Sequence, residues 1–236
     1  MRYLYLLLLA PGLLAQKVDL PVPRIFAGSL TGTVTTPDGK AVRRATILLR
    51  LQPRTGVNLP DFTVHALASS QGDFAFRTLP VGKYTVCPQS PDDDVLNPCD
   101  WSRQPPEVEI LNGAAATLKL VMAKGHRVSF QINDAAGLVD ANSKRAQPPS
   151  LSVGVTTPYG FLPARTGTRS PTRKDYSIVV PYATPVDAYI LGSGIDFEDD
   201  KGRKATNQSL RIPLRLKLGD PPKSAIANVT ALKGTL

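Results

Sequence analysis

The chain has 236 residues, 42% hydrophobic and 20% charged, with 22 Pro and 18 Gly. That composition excludes a disordered polyelectrolyte, favours turns over long helices, and is enough for two β domains of ordinary size. The 28 Lys+Arg against 19 Asp+Glu give a formal charge of +9, unevenly spread: residues 17–123 hold 11 basic and 10 acidic side chains, and residues 124–236 hold 16 and 9.

A cationic half favours acidic polymers or membrane surfaces. Its basic residues are scattered among Pro and Gly rather than clustered, so they read as a solvated surface, and nucleic acid is not an expected partner.

In MRYLYLLLLAPGLLAQ, Arg2 precedes an apolar run from Tyr3 to Leu14, and Ala15 offers a small residue before Gln16. This is the pattern of a secretory signal peptide over residues 1–15, followed by a linker at 16–27. The run falls short of the roughly 20 residues that a membrane span needs, and no later stretch approaches that length. The expected mature chain is exported, to the extracellular space, the periplasm or the cell surface, without a transmembrane segment.

From Ser29 the residues alternate with period two. Leu30, Gly32 and Val34 fall on one face and Thr31, Thr33 and Thr35 on the other, as a half-buried strand requires. Pro37 to Gly39 make a turn. ATILLRL then sends Ala45, Ile47, Leu49 and Leu51 inward, and FTVHALA sends Phe62, Val64, Ala66 and Ala68 inward with His65 outward. His65 and His126 stand on different strands, too isolated to read as a metal pair.

The stretch SSQGDFAFRTLPVGKYTV, residues 69–86, carries a turn at Gly72, the inward pair Phe74 and Phe76, a strand end at Leu79 and Pro80, a turn at Gly82, and a partner strand opening on Tyr84 and Val86. Tyr84 is expected to bury its ring with the hydroxyl at the rim.

The pattern G-x-V-x-x-P-D-G at Gly32 to Gly39, V-x-x-A at Val42 to Ala45, and G-D-F-x-F-x-x-L-P-x-G-x-Y at Gly72 to Tyr84 resembles the carboxypeptidase regulatory-like domain family. The resemblance covers about residues 28–123. It implies a prealbumin-like or Cna-B-like sandwich, also classed with carbohydrate-binding-like folds. Function it implies weakly, because unrelated activities share such sandwiches.

Only Cys87 and Cys99 are present, and an even pair in an oxidising compartment reads as a bridge. The bridge would hold an Asp- and Pro-rich loop with Asp92, Asp93 and Asp94, and would keep Trp101 near. Trp101 has two readings: an aromatic face for a sugar ring, or a cover over the sandwich end.

Strands EVEI and AATLKLVM, with Leu118, Leu120 and Met122 in register, close the first domain near Ala123, and Lys124 and Gly125 read as a hinge. GHRVSFQINDAAGLVDA then repeats the opening GSLTGTVTTPDGKAVRRA in outline, which predicts a second, diverged sandwich over 124–218. Its strands would be SLSVGV, DYSIVV, DAYILGS and SLRIPLRLKL, the last with Leu210, Ile212, Leu214, Leu216 and Leu218 on one face and Pro213 suited to a sheet edge. Residues 219–236 read as a last strand or a tail. The fold class is thus all-β, two tandem Ig-like or prealbumin-like sandwiches.

No G-x-S-x-G elbow, HExxH, P-loop or dinucleotide motif occurs. A catalytic role is not expected, and neither is a cofactor. A transthyretin-like hydrolase is a distant alternative because its His and Arg signatures are missing. Two acidic clusters, Asp92, Asp93 and Asp94 with Asp100, and Asp196, Glu198, Asp199 and Asp200, offer oxygens for Ca²⁺, but neither has the spacing of a calcium loop and both read as solvated turns. The expected function is a secreted, non-catalytic binding or scaffold module, with a glycan or protein ligand at its loops, the candidates being Trp101, Asp92, Asp93 and Asp94. The alternative is a structural accessory of a cell-envelope or transporter assembly. Candidate partners are therefore a polysaccharide or a cell-envelope protein.

Overall fold

A computed structural model describes residues 26–53, 61–90, 94–144, 146–221 and 223–232. The expected signal peptide, residues 16–25 of the expected linker, and the ligand candidates Asp92 and Asp93 lie outside the described residues.

The first sandwich runs β1 (Phe26–Thr35), β2 (Thr46–Leu51), β3 (Thr63–Leu67), β4 (Asp73–Pro80), β5 (Gly82–Gln89), a short helix α1 (Pro98–Trp101), β6 (Glu107–Ile110) and β7 (Ala115–Val121). A three-stranded sheet of order β4-β1-β7 faces a four-stranded sheet of order β3-β2-β5-β6. Leu30, Val34, Phe74, Phe76 and Leu120 meet Ile47, Leu49, Tyr84, Val86 and Ile110 in one buried core, each large side chain contributing about 1.5–3 kcal/mol on leaving water.

Two residues of the 72–84 motif show why their types are required. Gly72 has a φ of 82°, in the left-handed region that glycine enters without steric cost. Tyr84 is fully buried, and its hydroxyl donates to the carbonyl oxygen of Pro80 at 2.8 Å. The hydroxyl is therefore not at the rim. A buried phenol needs an acceptor, and the strand end at Pro80, four residues upstream, supplies one.

The second sandwich runs β8 (His126–Asn133), α2 (Leu138–Ala141), β9 (Ser150–Thr157), β10 (Gly160–Pro163), β11 (Arg165–Ser170), β12 (Arg173–Val180), β13 (Val186–Ser193), β14 (Ile195–Asp199), β15 (Ser209–Leu214) and β16 (Lys223–Leu232). Its sheets have the orders β10-β9-β13-β15 and β11-β12-β8-β16-β14.

The two sandwiches share a wiring. The order β3-β2-β5-β6 maps strand for strand onto β10-β9-β13-β15, and β4-β1-β7 maps onto β12-β8-β16, leaving β11 and β14 as added edges. In each, the opening strand lies between an antiparallel neighbour and a parallel closing strand: β1 between β4 and β7, β8 between β12 and β16. The parallel partner of β8 comes from 223–232, so the sheet takes in residues beyond 218.

Three local expectations are corrected. The long strand expected at 209–218 stops at Leu214, and Leu218 is 81% exposed instead of inward, because Lys217 and Asp220 close a turn after it, with the Lys217 N–H on the Asp220 carboxylate at 2.7 Å. Pro213 does lie on an edge strand, β15. The acidic run 196–200 is mostly strand β14 rather than a turn, with Ile195 and Phe197 buried inward. Finally, Lys124 and Gly125 are not a free hinge, for reasons that belong to the junction between the sandwiches.

Candidate functional site

The segment from Asp94 to Ser102 joins the two sandwiches. Cys99, in α1, is bonded to Cys87 of β5 with a Cα separation of 5.5 Å, so the segment is fixed to the first domain. Asn97 caps the short helix: its side-chain oxygen accepts from the Cys99 N–H at 3.0 Å, and its amide donates to Asp100 at 2.8 Å. Upstream, the Leu96 N–H donates to the Ala123 carbonyl at 2.8 Å, the Gly125 N–H donates to the Asp94 carbonyl at 2.8 Å, and Val95 bridges to Lys124. Gly125 is also sterically required: a Cβ there would lie 2.5 Å from Val179 Cγ1 and 2.8 Å from Leu96 Cδ2. Lys124 Nζ is paired with Asp38 at 2.9 Å. Backbone bonds and packing thus hold the residues expected to swivel.

Side chains extend the joint. Trp101 packs against the core of the second sandwich: it covers a sandwich end, but that of the other domain. Arg127 Nε donates to Asp94 at 2.6 Å, Arg165 Nη1 donates to the buried Ser90 carbonyl at 2.8 Å, and the Tyr159 hydroxyl donates to the Ser102 carbonyl. The Arg127–Asp94 pair is partly exposed and contributes about 0–1 kcal/mol; the backbone bonds and the half-buried indole matter more.

Trp101 lines two cavities. One is a groove of about 520 Å³ walled by Leu96, Pro98, Val121, Pro158, Pro185 and Val186, within the range of ligand pockets. The other is a cleft of about 90 Å³ with a mixed wall, Asn97, Asp100, Arg127 and Arg165 facing Leu162 and Ile178, room for a few waters. Burial pushes the Asp100 carboxyl up from its ordinary value, against the opposing hydrogen bond from Asn97 and the charge of Arg165.

The other candidate residues are elsewhere. Asp199 is buried at the end of β14, where Oδ1 accepts from the Lys201 and Arg203 N–H groups at 3.0 and 2.8 Å and Oδ2 from Arg203 Nε at 2.6 Å. Burial raises its pKa, and these bonds outweigh that and leave it lowered. Its oxygens are committed to a turn. Asp196 and Glu198 alternate with the buried Ile195 and Phe197 along the strand, and Asp200 is exposed. Among the described residues no three His, Cys, Asp or Glu side chains gather into a metal-holding group, and no helix is long and apolar enough to cross a membrane. His65 is exposed; His126 is buried with its ring edge-on to Tyr182 at 5.8 Å.

Sequence reasoning did not find Arg127, Tyr159 or Arg165. Each is a polar residue of the second domain that matters only through contact with a loop 33 to 75 positions away, and nothing in its own neighbourhood signals that.

No protein-family model matches the chain, and no curated protein does. Solved structures give distant likenesses. The streptococcal ancillary pilin is 8% identical, with 86% of this chain and 62% of that one covered and a TM-score of 0.41. The minor pilin of Streptococcus agalactiae is 10% identical, with 89% and 99% covered and a TM-score of 0.37. The TIE protein of Bacillus anthracis is 12% identical, with 86% of this chain covered and a TM-score of 0.32; the chain spans about a third of its length, 34%.

Proposed function

We propose that the protein is an exported, non-catalytic surface module: two β-sandwiches fixed end to end, presenting the loops of their junction to an extracellular glycan or protein. The observation that carries this is the disulfide-held segment 94–102, which is covalently tied to one sandwich and packs its Trp101 into the other. Interfaces between domains are by default mobile, so a joint with a cystine, backbone bonds and a half-buried indole favours fixed geometry.

The strand directions fit a spacer. β1 and β7 both run toward the junction, and β8 and β16 both run away from it. The described chain therefore enters the pair at one far end and leaves it at the other. A disulfide in the joint suits an oxidising compartment, in keeping with the apolar N-terminal run, and the motif at 72–84 keeps the resemblance to carboxypeptidase regulatory-like domains as the reading of the first sandwich.

The test is small-angle X-ray scattering of the mature chain recovered from an extracytoplasmic fraction, with the cystine intact. One rigid conformation should account for the curve, and reduction should broaden it into an ensemble. A freely articulated pair in the oxidised protein, or a chain retained in the cytoplasm with both thiols free, would overturn the reading.

A further inference from the structure

The outer face of the sheet β10-β9-β13-β15 carries a strip that the core does not use. Val153, Val155, Ala188 and Ile190 are buried, so alternation turns Gly154 and Thr156 of β9 and Asp187 and Tyr189 of β13 outward. In the register, Pro163, Gly154, Tyr189 and Arg211 form one row across all four strands, and Phe161 stands opposite Thr156.

The Phe161 ring leans across β9. A Cβ on Gly154 would lie 2.5 Å from Phe161 Cζ and 3.0 Å from Cε1, so the missing side chain lets the ring cover the strand between Phe161 and Tyr189. The ring is not thereby lost from the surface: Phe161 stays 41% exposed. Beside the aromatic pair, Asp187 Oδ2 accepts from Arg211 at 2.7 Å, and the Thr156 hydroxyl reaches the Asp187 carbonyl at 3.4 Å. The second Asp187 oxygen is buried and has no hydrogen-bond partner, so only the oxygen that Arg211 holds is left to meet a ligand.

The size of the strip selects its occupant. Four strands span about 14 Å and two outward positions on one strand are about 7 Å apart, which gives roughly 100 Å², whereas a stable protein interface takes about 800 Å² per partner. A narrow chain fits within such a strip, whereas a protein partner would have to cover surface well beyond it. The chemistry narrows it further: aromatic and proline faces for apolar C–H surfaces, and a fixed guanidinium, carboxylate and hydroxyl for equatorial hydroxyls, are what a pyranose ring requires. Thr156 also lines the groove beside Trp101, so the strip runs on into the junction. Arg211 is charge-compensated by Asp187, which favours an uncharged ligand here.

We propose that this face binds a neutral polysaccharide, its sugar rings stacked on Phe161 and Tyr189 and its hydroxyls on Arg211 and Asp187. The proposal rests on the surface-module reading only for where such a polymer would be met.

Isothermal titration of the oxidised mature chain with cellohexaose, laminarihexaose, mannohexaose and xylohexaose, at about 0.1 and about 0.5 M NaCl, tests it. At least one hexasaccharide should bind, with affinity unchanged by salt. Tyr189→Ala should weaken binding roughly tenfold, Tyr189→Phe should retain it, and Gln131→Ala on the opposite sheet should leave it unaltered. No heat from any of the four with a cooperatively unfolding protein would overturn the proposal. So would binding that Tyr189→Ala retains, that salt abolishes, or that Trp101→Ala alone removes while Tyr189→Ala does not. Each of these failures leaves the scattering test of the rigid joint standing.

Discussion

The Gly125 backbone N–H donates to the Asp94 carbonyl oxygen at 2.8 Å, and this bond ties the disulfide-held segment to the residue just before β8. The same glycine is walled by Val179, Leu96 and the Val180 carbonyl at 2.5 to 2.9 Å from where a Cβ would stand. Two of these walls come from the second sandwich and one from the segment, so a side chain at 125 has to part them. Gly125→Val should destabilise the protein by about 1–3 kcal/mol through overpacking and split thermal unfolding into two transitions. A single transition at the unaltered temperature would show that the close fit at 125 does not couple the domains.

Cys87 and Cys99 close a loop of 12 residues in sequence separation. In the chain-entropy model such a bridge stabilises by about 3 kcal/mol. Cys87→Ser with Cys99→Ser should therefore lower the midpoint of chemical denaturation by a corresponding amount, and should raise proteolysis near 94–102 more than at the β1–β7 core. Equal midpoints for the two proteins would mean that the segment holds its place without the bond.

The first sandwich was legible because its evidence is local. Period-two alternation placed Ile47, Leu49, Phe74, Phe76, Tyr84 and Val86 inward, and all are buried. The second was legible where it alternates, as in β9, β12 and β13, and obscure where it does not. β11 reads RTGTRS, has no large apolar side chain to bury, and is exposed along nearly its whole length at the edge beside β12. β14 alternates, but its charges drew attention to oxygens rather than to Ile195 and Phe197. At the junction, Trp101 and the two cysteines stood out by type, whereas the hinge reading of Lys124 and Gly125 failed because their partners, Asp38, Asp94, Leu96 and Val179, are supplied by distant segments. The pairing of β16 with β8 has the same character: strands about a hundred residues apart carry no sequence mark of their register.

Tyr84 and Pro80 form a contact in which the loss of one atom is informative. The Tyr84 hydroxyl is buried and its acceptor is a strand-end carbonyl at 2.8 Å. Tyr84→Phe keeps the ring and removes the donor from a carbonyl at the end of β4. The expected cost is about 1–3 kcal/mol, read in urea denaturation as a lower midpoint with an unchanged slope. A shift below about 0.5 kcal/mol would indicate that water reaches Pro80 once the hydroxyl is gone.

The Asp38 carboxyl is held at about 2 against an ordinary 3.8, first by the hydrogen bond from the Thr36 hydroxyl and next by Lys124 Nζ. Because the folded value lies below the unfolded one, folding favours the ionised form. The stabilisation is fully present above pH 3.8 and is lost as pH falls from there through about 2. Carboxyl-detected NMR titration should find the low value in the native protein. Thr36→Val should raise it more than Lys124→Ala does, since a hydrogen bond to the charged form outweighs an exposed ammonium. Salt should separate the two contributions, reducing the part due to Lys124 and leaving the part due to Thr36. If Lys124→Ala proved the larger perturbation, the turn at Thr36 to Lys40 would owe its acid resistance to the residue beside the junction and not to its own hydroxyl.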